Sequence, residues 1–384
     1  MTATDGDALE LKGWGDGTSI EEMPEALLRA YRELAPPLAL RTLSGGLLHR
    51  SFHVKTAGAE YVLQRVSDAF APEIHDNIAA VTRHLRDRAF PSFALIPAAS
   101  GALFVELGAA GRWRLMTHLT GVSVASIEST EQARSAGALV GRFHSALDDF
   151  RAPLAPMGIP FRNTALYLER LRTALSRHAG HRLAGQAAAI AARIDAGFAR
   201  VGPAPDPRGL PDRVIHGDLK LANLLFAGAD PPARDRAVAL VDFDTLMRAP
   251  LWSEWGDAWR SWCNPAGEDG SAARFDLALF EASAAGFFEG YQGSLSRAET
   301  DSLVDATERI TLELCARFAT DMLEESYFAW DPSAHASAAD HNALRAQRQL
   351  DLFEAAVACR EERAGILTDL WRARPAERRG QVGG

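Results

Sequence analysis

Cysteine is scarce in this chain: three residues among 384, at Cys263, Cys315 and Cys359. An odd, widely spaced set makes neither a disulfide framework nor a zinc pattern, so a reducing compartment is expected. No apolar run is long enough to span a bilayer. The first residues, M-T-A-T-D-G-D, are acidic and polar and hold no apolar signal core. Together these absences point to a cytoplasmic protein with no membrane partner. Positive charge is also short, with 41 Lys and Arg against 50 Asp and Glu and a net charge of −9. That excludes a general nucleic-acid binder, which needs a basic footprint. It leaves room for a nucleotide, because a local basic patch holds a triphosphate. What is present, 47% hydrophobic and 24% charged residues, is the composition of a soluble globular protein. The length predicts two or three domains or lobes and a sizeable core.

The richest stretch runs from Val214 to Thr245: V-I-H-G-D-L-K-L-A-N-L-L-F, a turn-rich insert, then A-V-A-L-V-D-F-D-T. Two apolar runs frame Asp218, Asn223 and Asp242. A carboxylate after a tight turn, an amide shortly after it and a second carboxylate at a strand end match the parts needed for phosphoryl transfer. Asp218 would orient and deprotonate an attacking hydroxyl, while Asn223 and Asp242 would hold magnesium against the phosphates of ATP. The bland alternative is a β-hairpin with solvated aspartates in its loops; the Asn spacing and the V-D-F-D step weigh against it. Lys220 is either a neutralising cation or a solvated side chain. Asp244 is a further ligand or a cap.

Upstream, apolar spacing over Glu21–Leu34 predicts a helix that stops before Pro36-Pro37. L-A-L-R-T-L, S-F-H-V-K-T and Y-V-L-Q-R-V then read as three strands. Gly45 and Gly46 lie in the first turn, where a missing Cβ lets backbone N–H groups approach phosphate; a plain hairpin turn is the alternative. The third strand has no lysine, so Arg65, which shares a face with Tyr61 and Leu63, is the candidate phosphate cation. A helix over about Pro72–Arg88 carries Glu73 and Asp76 as possible partners for it. Two more strands, from A-L-I-P-A-A-S-G-A-L-F-V-E-L and R-W-R-L-M-T-H-L-T-G, would complete a five-stranded antiparallel sheet. Met116 to Leu119 would be the hinge whose backbone bonds adenine.

After that the pattern is helical. Ser129 with Gln132 and Ser296 with Glu299 form capping-box patterns, the second opening a long helix through T-L-E-L-C-A-R-F-A-T-D-M-L-E-E-S-Y-F. His144 reads as a core histidine beside an apolar stripe. Trp252, Trp255, Trp259 and Trp262 have helical spacing, which means packing, with one or two left as a wall for substrate. Asp340–Arg372 reads as a last helix. The expected division is an ATP-binding lobe over 1–116, a helical catalytic and substrate lobe over 117–374, and a disordered tail over 375–384.

H-G-D-L-K-L-A-N followed by V-D-F-D resembles the aminoglycoside phosphotransferase and choline kinase superfamily. The resemblance implies an α+β, bilobal, protein-kinase-like fold with Asp218 as catalytic base and Asn223 and Asp242 as magnesium ligands. Three other stretches, Y-V-L-Q-R-V-S-D-A-F-A-P-E-I-H-D-N, W-G-D-A-W-R-S-W-C-N-P-A-G-E-D and the helix around Arg317, are similar to the N-acetylhexosamine 1-kinase group. That likeness implies sugar contacts from Arg317 and Tyr327, with Asp257 and Arg260 shaping the pocket. The chain departs from the group at His49-Arg50-Ser51, where an Asn-Asp-Thr-type step is usual. The Arg317 helix is one residue shorter than the group's, which leaves Tyr327 and Phe328 as alternatives.

The expected activity is ATP- and magnesium-dependent phosphorylation of a small-molecule hydroxyl, preferably on a sugar at the anomeric position. A kinase for an amino alcohol, homoserine or an aminoglycoside is the nearest rival. Glu268, Asp269, Glu324, Glu325 and the tryptophans would supply the carboxylate-lined or aromatic cage for its cationic acceptor. A protein kinase lacks support: there is no full G-x-G-x-x-G, strand lysine or A-P-E element. A catalytically inactive nucleotide-binding protein is the rival of another class. The partner is a small molecule, and the chain a monomer or homodimer.

Overall fold

A computed structural model describes residues 25–35, 38–43, 49–270 and 272–380. Gly45 and Gly46 lie outside them. The described chain is α+β and divides into two compact units: Met1–Thr120 with Arg151–Ile159, and Gly121–Phe150 with Pro160–Gly384.

The first unit is built on antiparallel strands β1 (Leu38–Leu43), β2 (Arg50–Thr56), β3 (Glu60–Val66), β4 (Leu95–Ile96), β5 (Val105–Glu106) and β6 (Arg112–Thr117). Their order is β1-β2-β3-β6-β4, with β5 also against β6, so the sheet has six strands where five were expected. The stretch expected to form one strand is cut in two by Pro97 and the Gly101 turn (φ +86°). Register pairs Phe52 with Leu63 and Leu63 with Leu115. These residues, with Leu40, Val54 and Trp113, line one face. Leu27, Tyr31 and Leu34 from helix α1 (Glu25–Ala30) and the 3-10 turn after it close over them. The buried Tyr31 hydroxyl donates to Trp113 O at 3.2 Å, which satisfies its one polar group. Alternation puts Ser51, His53, Glu60, Val62, Gln64, Arg114 and Met116 on the opposite face. Helix α2 (Ile74–Asp87) buries Ile74, Ile78, Val81 and Leu85. The Asn77 amide exchanges two 2.8 Å hydrogen bonds with Ala155, fixing the 151–159 excursion to this unit.

In the second unit α3 (Thr130–Leu147), α4 (Thr164–Arg177) and α5 (Ala184–Val201) precede two short hairpin-like pairs. Strand β7 (Arg213–Ile215) pairs with β10 (Met247–Ala249), and β8 (Leu224–Phe226) with β9 (Ala237–Leu240). Then come α6 (Leu251–Trp262), α7 (Leu277–Gly290), β11 (Leu295–Ser296), α8 (Arg297–Ser302), α9 (Ala306–Glu324), α10 (Ala338–Ala358), α11 (Arg360–Ala373) and β12 (Arg379–Gly380). Helices α3 and α7 touch through glycines: a Cβ on Gly137 would lie 1.9 Å from Ser283 O, and one on Gly286 2.0 Å from Arg134 O. Helix α9 is the hub, buried on nearly every side.

Three expectations are corrected here. The Ser296–Glu299 capping box is present but caps the short α8; a turn at Leu303–Asp305 separates it from α9. The last helix is two, broken at Cys359, where Arg363 donates to Ala356 O at 2.9 Å. The tail is ordered through Gly380, since β12 pairs in parallel with β11. Trp255, Trp259 and Trp262 are core. Among the described residues no helix is long and apolar enough to cross a membrane.

Candidate active site

The turn after β7 is fastened before it carries any chemistry. Glu254 of α6 is fully buried, and its two carboxylate oxygens accept the His216 and Gly217 N–H groups, each at 2.9 Å. The His216 ring pairs with Val241 O at 2.8 Å, and Thr245 Oγ1 donates to His216 O at 2.8 Å. Gly217 has φ +84°, and a Cβ there would stand 2.5 Å from Thr245 O. Only glycine fits such a conformation so close to a neighbouring backbone. Burial pushes the Glu254 carboxyl up, but His144, His216 and the Gly217 N–H outweigh it and hold it below the usual carboxylate range. His144 thus lies in the core, 3.5 Å from Glu254.

The turn delivers Asp218. Lys220 Nζ donates to its Oδ2 at 2.7 Å. Asn223, in the 3-10 turn Leu221–Asn223, donates through Nδ2 to Asp218 O at 2.8 Å and Oδ2 at 3.1 Å. Its amide oxygen is thereby left as an open oxygen donor. Asn223 O accepts from Val241 N at 3.0 Å, which brings the end of β9 beside it. The next residue, Asp242, is left-handed (φ 68°, ψ 64°). For a non-glycine residue this costs on the order of 1–3 kcal/mol and persists where the surroundings impose it. Asp244 is buried in a 3-10 turn rather than on a strand, and carboxylate oxygens of Asp242 and Asp244 lie within 4.8 Å. Trp262 Nε1 donates to Leu219 O at 3.1 Å, bracing the loop from α6. Burial raises the Asp218 carboxyl, yet Lys220 and Arg162 outweigh it and hold it far below the usual range. Lys220 is correspondingly held above its own range: burial lowers it, and Asp218 and Asp242 more than offset that.

A chain of ion pairs runs onward from this turn. Arg162, just before α4, donates through Nε and Nη2 to Gly217 O at 3.1 and 2.7 Å. Its guanidinium also meets Asp257 at 2.9 Å and Glu313 at 3.6 Å. Asp257 is shared with Arg260 at 3.0 Å, and Arg260 reaches Glu268 at 2.6 Å. One turn along α9 from Glu313, Arg317 is surrounded by the rings of Phe161, Tyr167, Tyr327 and Phe328, 5.2–5.8 Å from their centroids. Its Nη2 donates to the Tyr327 hydroxyl at 3.2 Å. The Asp321 carboxylate accepts the Ser326, Tyr327 and Phe328 N–H groups, each at 2.8 Å, which is why both candidate rings stand beside Arg317. Tyr327 is 49% exposed and presents the hydroxyl. Among the described residues Arg317 has no carboxylate partner. Sequence reasoning missed Arg162, Glu254 and Glu313, single charged residues with no motif around them.

On the first unit Arg65 is corrected. It shares the Leu63 face, where the apolar core is closed, and its Nε donates to Ala110 O at 2.9 Å rather than meeting Glu73 or Asp76. A cation on the opposite face is Arg114, 2% exposed, which donates from Nε to Gln64 Oε1 at 2.8 Å. Met116 ends on that face, but the Thr117 and His118 N–H groups are taken by Ala94 O and Glu60 O. Among the described residues Leu119 keeps unpaired backbone groups.

The phosphotransferase enzyme family model matches residues 39–299. An aminoglycoside phosphotransferase from Alicyclobacillus acidocaldarius is 18% identical, with a TM-score of 0.55 over 91% of this chain and 99% of its own. A microcompartment-associated aminopropanol kinase is 16% identical, with a TM-score of 0.58 over 88% and 97%. An amicoumacin kinase in complex with AMP-PNP and Ca2+ is 14% identical, with a TM-score of 0.56 over 86% and 92%. With its family model covering well over half of its length, and with Asp218, Asn223 and Asp242 gathered around one braced turn, the chain belongs to the phosphotransferase enzyme family and is a small-molecule kinase.

Proposed function

We propose that the chain transfers the γ-phosphoryl group of ATP, with magnesium, to a hydroxyl of a neutral sugar, an N-acetylhexosamine at its anomeric position. The observation that carries the sugar reading is the charge pattern of the second unit. Three of the four acidic residues that would have caged an amine are paired with an arginine. Glu268 is with Arg260, Asp269 with Arg345 at 2.7 Å and Glu324 with Arg177 at 3.6 Å, while Glu325 accepts the Ala339 N–H at 3.1 Å and lies 3.8 Å from the His181 ring. The aromatic ring cluster is occupied by Arg317, and three of the four tryptophans are core. A cationic acceptor would therefore meet a filled cage and a guanidinium. A polyol or an N-acetyl group finds donors in Arg317 and Tyr327, beside the ordered Asp257–Arg260 pair.

The donor set near Asp218 fits a hard divalent cation: the Asn223 amide oxygen and the Asp242 carboxylate are oxygen ligands of the kind magnesium takes. When bound there, magnesium neutralises phosphate charge. Asp218 accepts the acceptor hydroxyl's hydrogen bond and fixes its line of attack. Lys220 and Arg162 hold the carboxylate ionised, ready to orient the hydroxyl and take its proton. That suffices for a loose transition state. Lys220 supplies positive charge next to the same carboxylate. On the first unit, Arg114 replaces Arg65 as the candidate phosphate cation, and the Leu119 backbone is the candidate for the nucleobase.

ADP release measured across N-acetylhexosamines, amino alcohols and aminoglycosides tests this directly. Turnover with N-acetylhexosamines above that with the amines is expected. Turnover confined to amines would overturn the sugar reading while leaving the phosphotransferase intact.

A further inference from the structure

We propose that the first unit carries a second, separate cation site, formed by His53, Glu60 and His118 and suited to zinc or a similar borderline divalent ion. His53 lies on β2, Glu60 opens β3, and His118 follows β6, all on the sheet face that α1 leaves open. His53 Nε2 lies 3.0 Å from Glu60 Oε2, and His118 Nδ1 lies 3.4 Å from the same oxygen. All three ligand atoms fall within 4.8 Å of one another. Donors about 2.0–2.1 Å from a tetrahedral ion stand roughly 3.3 Å apart, so two of the three edges lie near that spacing, and a small shift of one imidazole would complete the set.

The backbone sets this geometry before any ion arrives. His118 N donates to Glu60 O at 3.1 Å, tying the end of β6 to the start of β3. The two imidazole rings lie 4.4 Å apart, centroid to centroid. Glu60 Oε1 is turned to Lys55 at 3.9 Å, which leaves Oε2 for the cluster. All three side chains are partly open to solvent, so an ion has an entry path and a fourth position for water. Two imidazoles and one carboxylate select zinc, nickel, cobalt or copper over magnesium and calcium, which prefer all-oxygen sets. The site is thus chemically distinct from the Asn223–Asp242 pair. A bound ion would lock β2, β3 and the residues leading to Leu119 together.

The test is metal binding by the full chain in excess magnesium, read by calorimetry with zinc and by the visible spectrum with cobalt. One ion per chain is expected, with a four-coordinate cobalt spectrum and a raised melting temperature. His53→Ala and His118→Ala should each lose the ion and the spectrum, while Asp242→Ala retains them. Glu60→Gln, which keeps the hydrogen-bonding shape, should weaken binding at least tenfold. Circular dichroism of the metal-free variants shows whether they are folded. No zinc uptake by wild type would overturn the site and leave the trio as a hydrogen-bonded cluster only. So would equal uptake by both histidine variants.

Discussion

Asp218 holds its charge against burial because Lys220 and Arg162 stand beside it, and that sets what it can do. Asp218→Asn keeps the shape and removes the charge. Turnover should fall roughly 10²–10⁴-fold, while ATP affinity by equilibrium binding stays within a few-fold of wild type. Near-normal turnover would contradict the role given to it. The same electrostatics predict an acid-side stability loss. Asp218 and Glu254 are both held below their unfolded values, burial notwithstanding. The folded state therefore takes up these protons at lower pH than the unfolded state does. Their stabilisation is full above about pH 5 and is lost as pH falls through the unfolded carboxylate range near 4 and below. Urea midpoints measured across pH should fall below about pH 5 as these carboxylates protonate. A midpoint that rises on acidification contradicts this.

At the scale of elements, the H-G-D turn is a platform bolted to α6. That Asp218 and Asn223 lie together was legible because one short loop contains them; for Lys220 the sequence left a solvated side chain equally open, and the structure places its Nζ on Asp218. Asp242 was expected at a strand end; β9 stops at Leu240, and the Asn223–Val241 hydrogen bond just past it shows why the two stretches meet. The clamps were not legible. Glu254 reaches the turn from 38 residues away and Arg162 from 55, and a lone charged residue looks like a solvated one until the fold pairs it. Arg65 failed for a related reason. Alternation placed it correctly with Leu63, but not which face the apolar core would close. Helix ends at Leu303–Asp305 and Cys359 were invisible because apolar periodicity runs through them. The clamp carries its own test. Glu254→Gln points an amide donor at backbone N–H groups that need an acceptor. It should cost about 1–3 kcal/mol in denaturant unfolding and lower kcat more than it raises KM. An unchanged unfolding midpoint would refute the clamp.

For the whole molecule, the α+β division follows from strand alternation in the first third and helical periodicity after it, while the strand order β1-β2-β3-β6-β4 was not legible. The return of residues 151–159 to the first unit was hidden, since it depends on contacts distant in sequence, the Asn77 side chain with Ala155 and the Ala71 N–H with Met157 O. The proposed acceptor preference also belongs to this scale. It rests on two acidic steps, Glu268-Asp269 and Glu324-Glu325, three of whose carboxylates are taken by arginines from elsewhere in the chain, and on Arg317 being left with aromatic partners. The sharpest measurement is kcat/KM for an N-acetylhexosamine against the same hexosamine with a free, protonated amine. The two differ in charge and in the acetyl group, but not in the reacting hydroxyl. The structure predicts at least a tenfold preference for the N-acetyl form, about 1.4 kcal/mol of differential transition-state binding. Equal or better turnover of the amine would contradict the neutral-acceptor assignment.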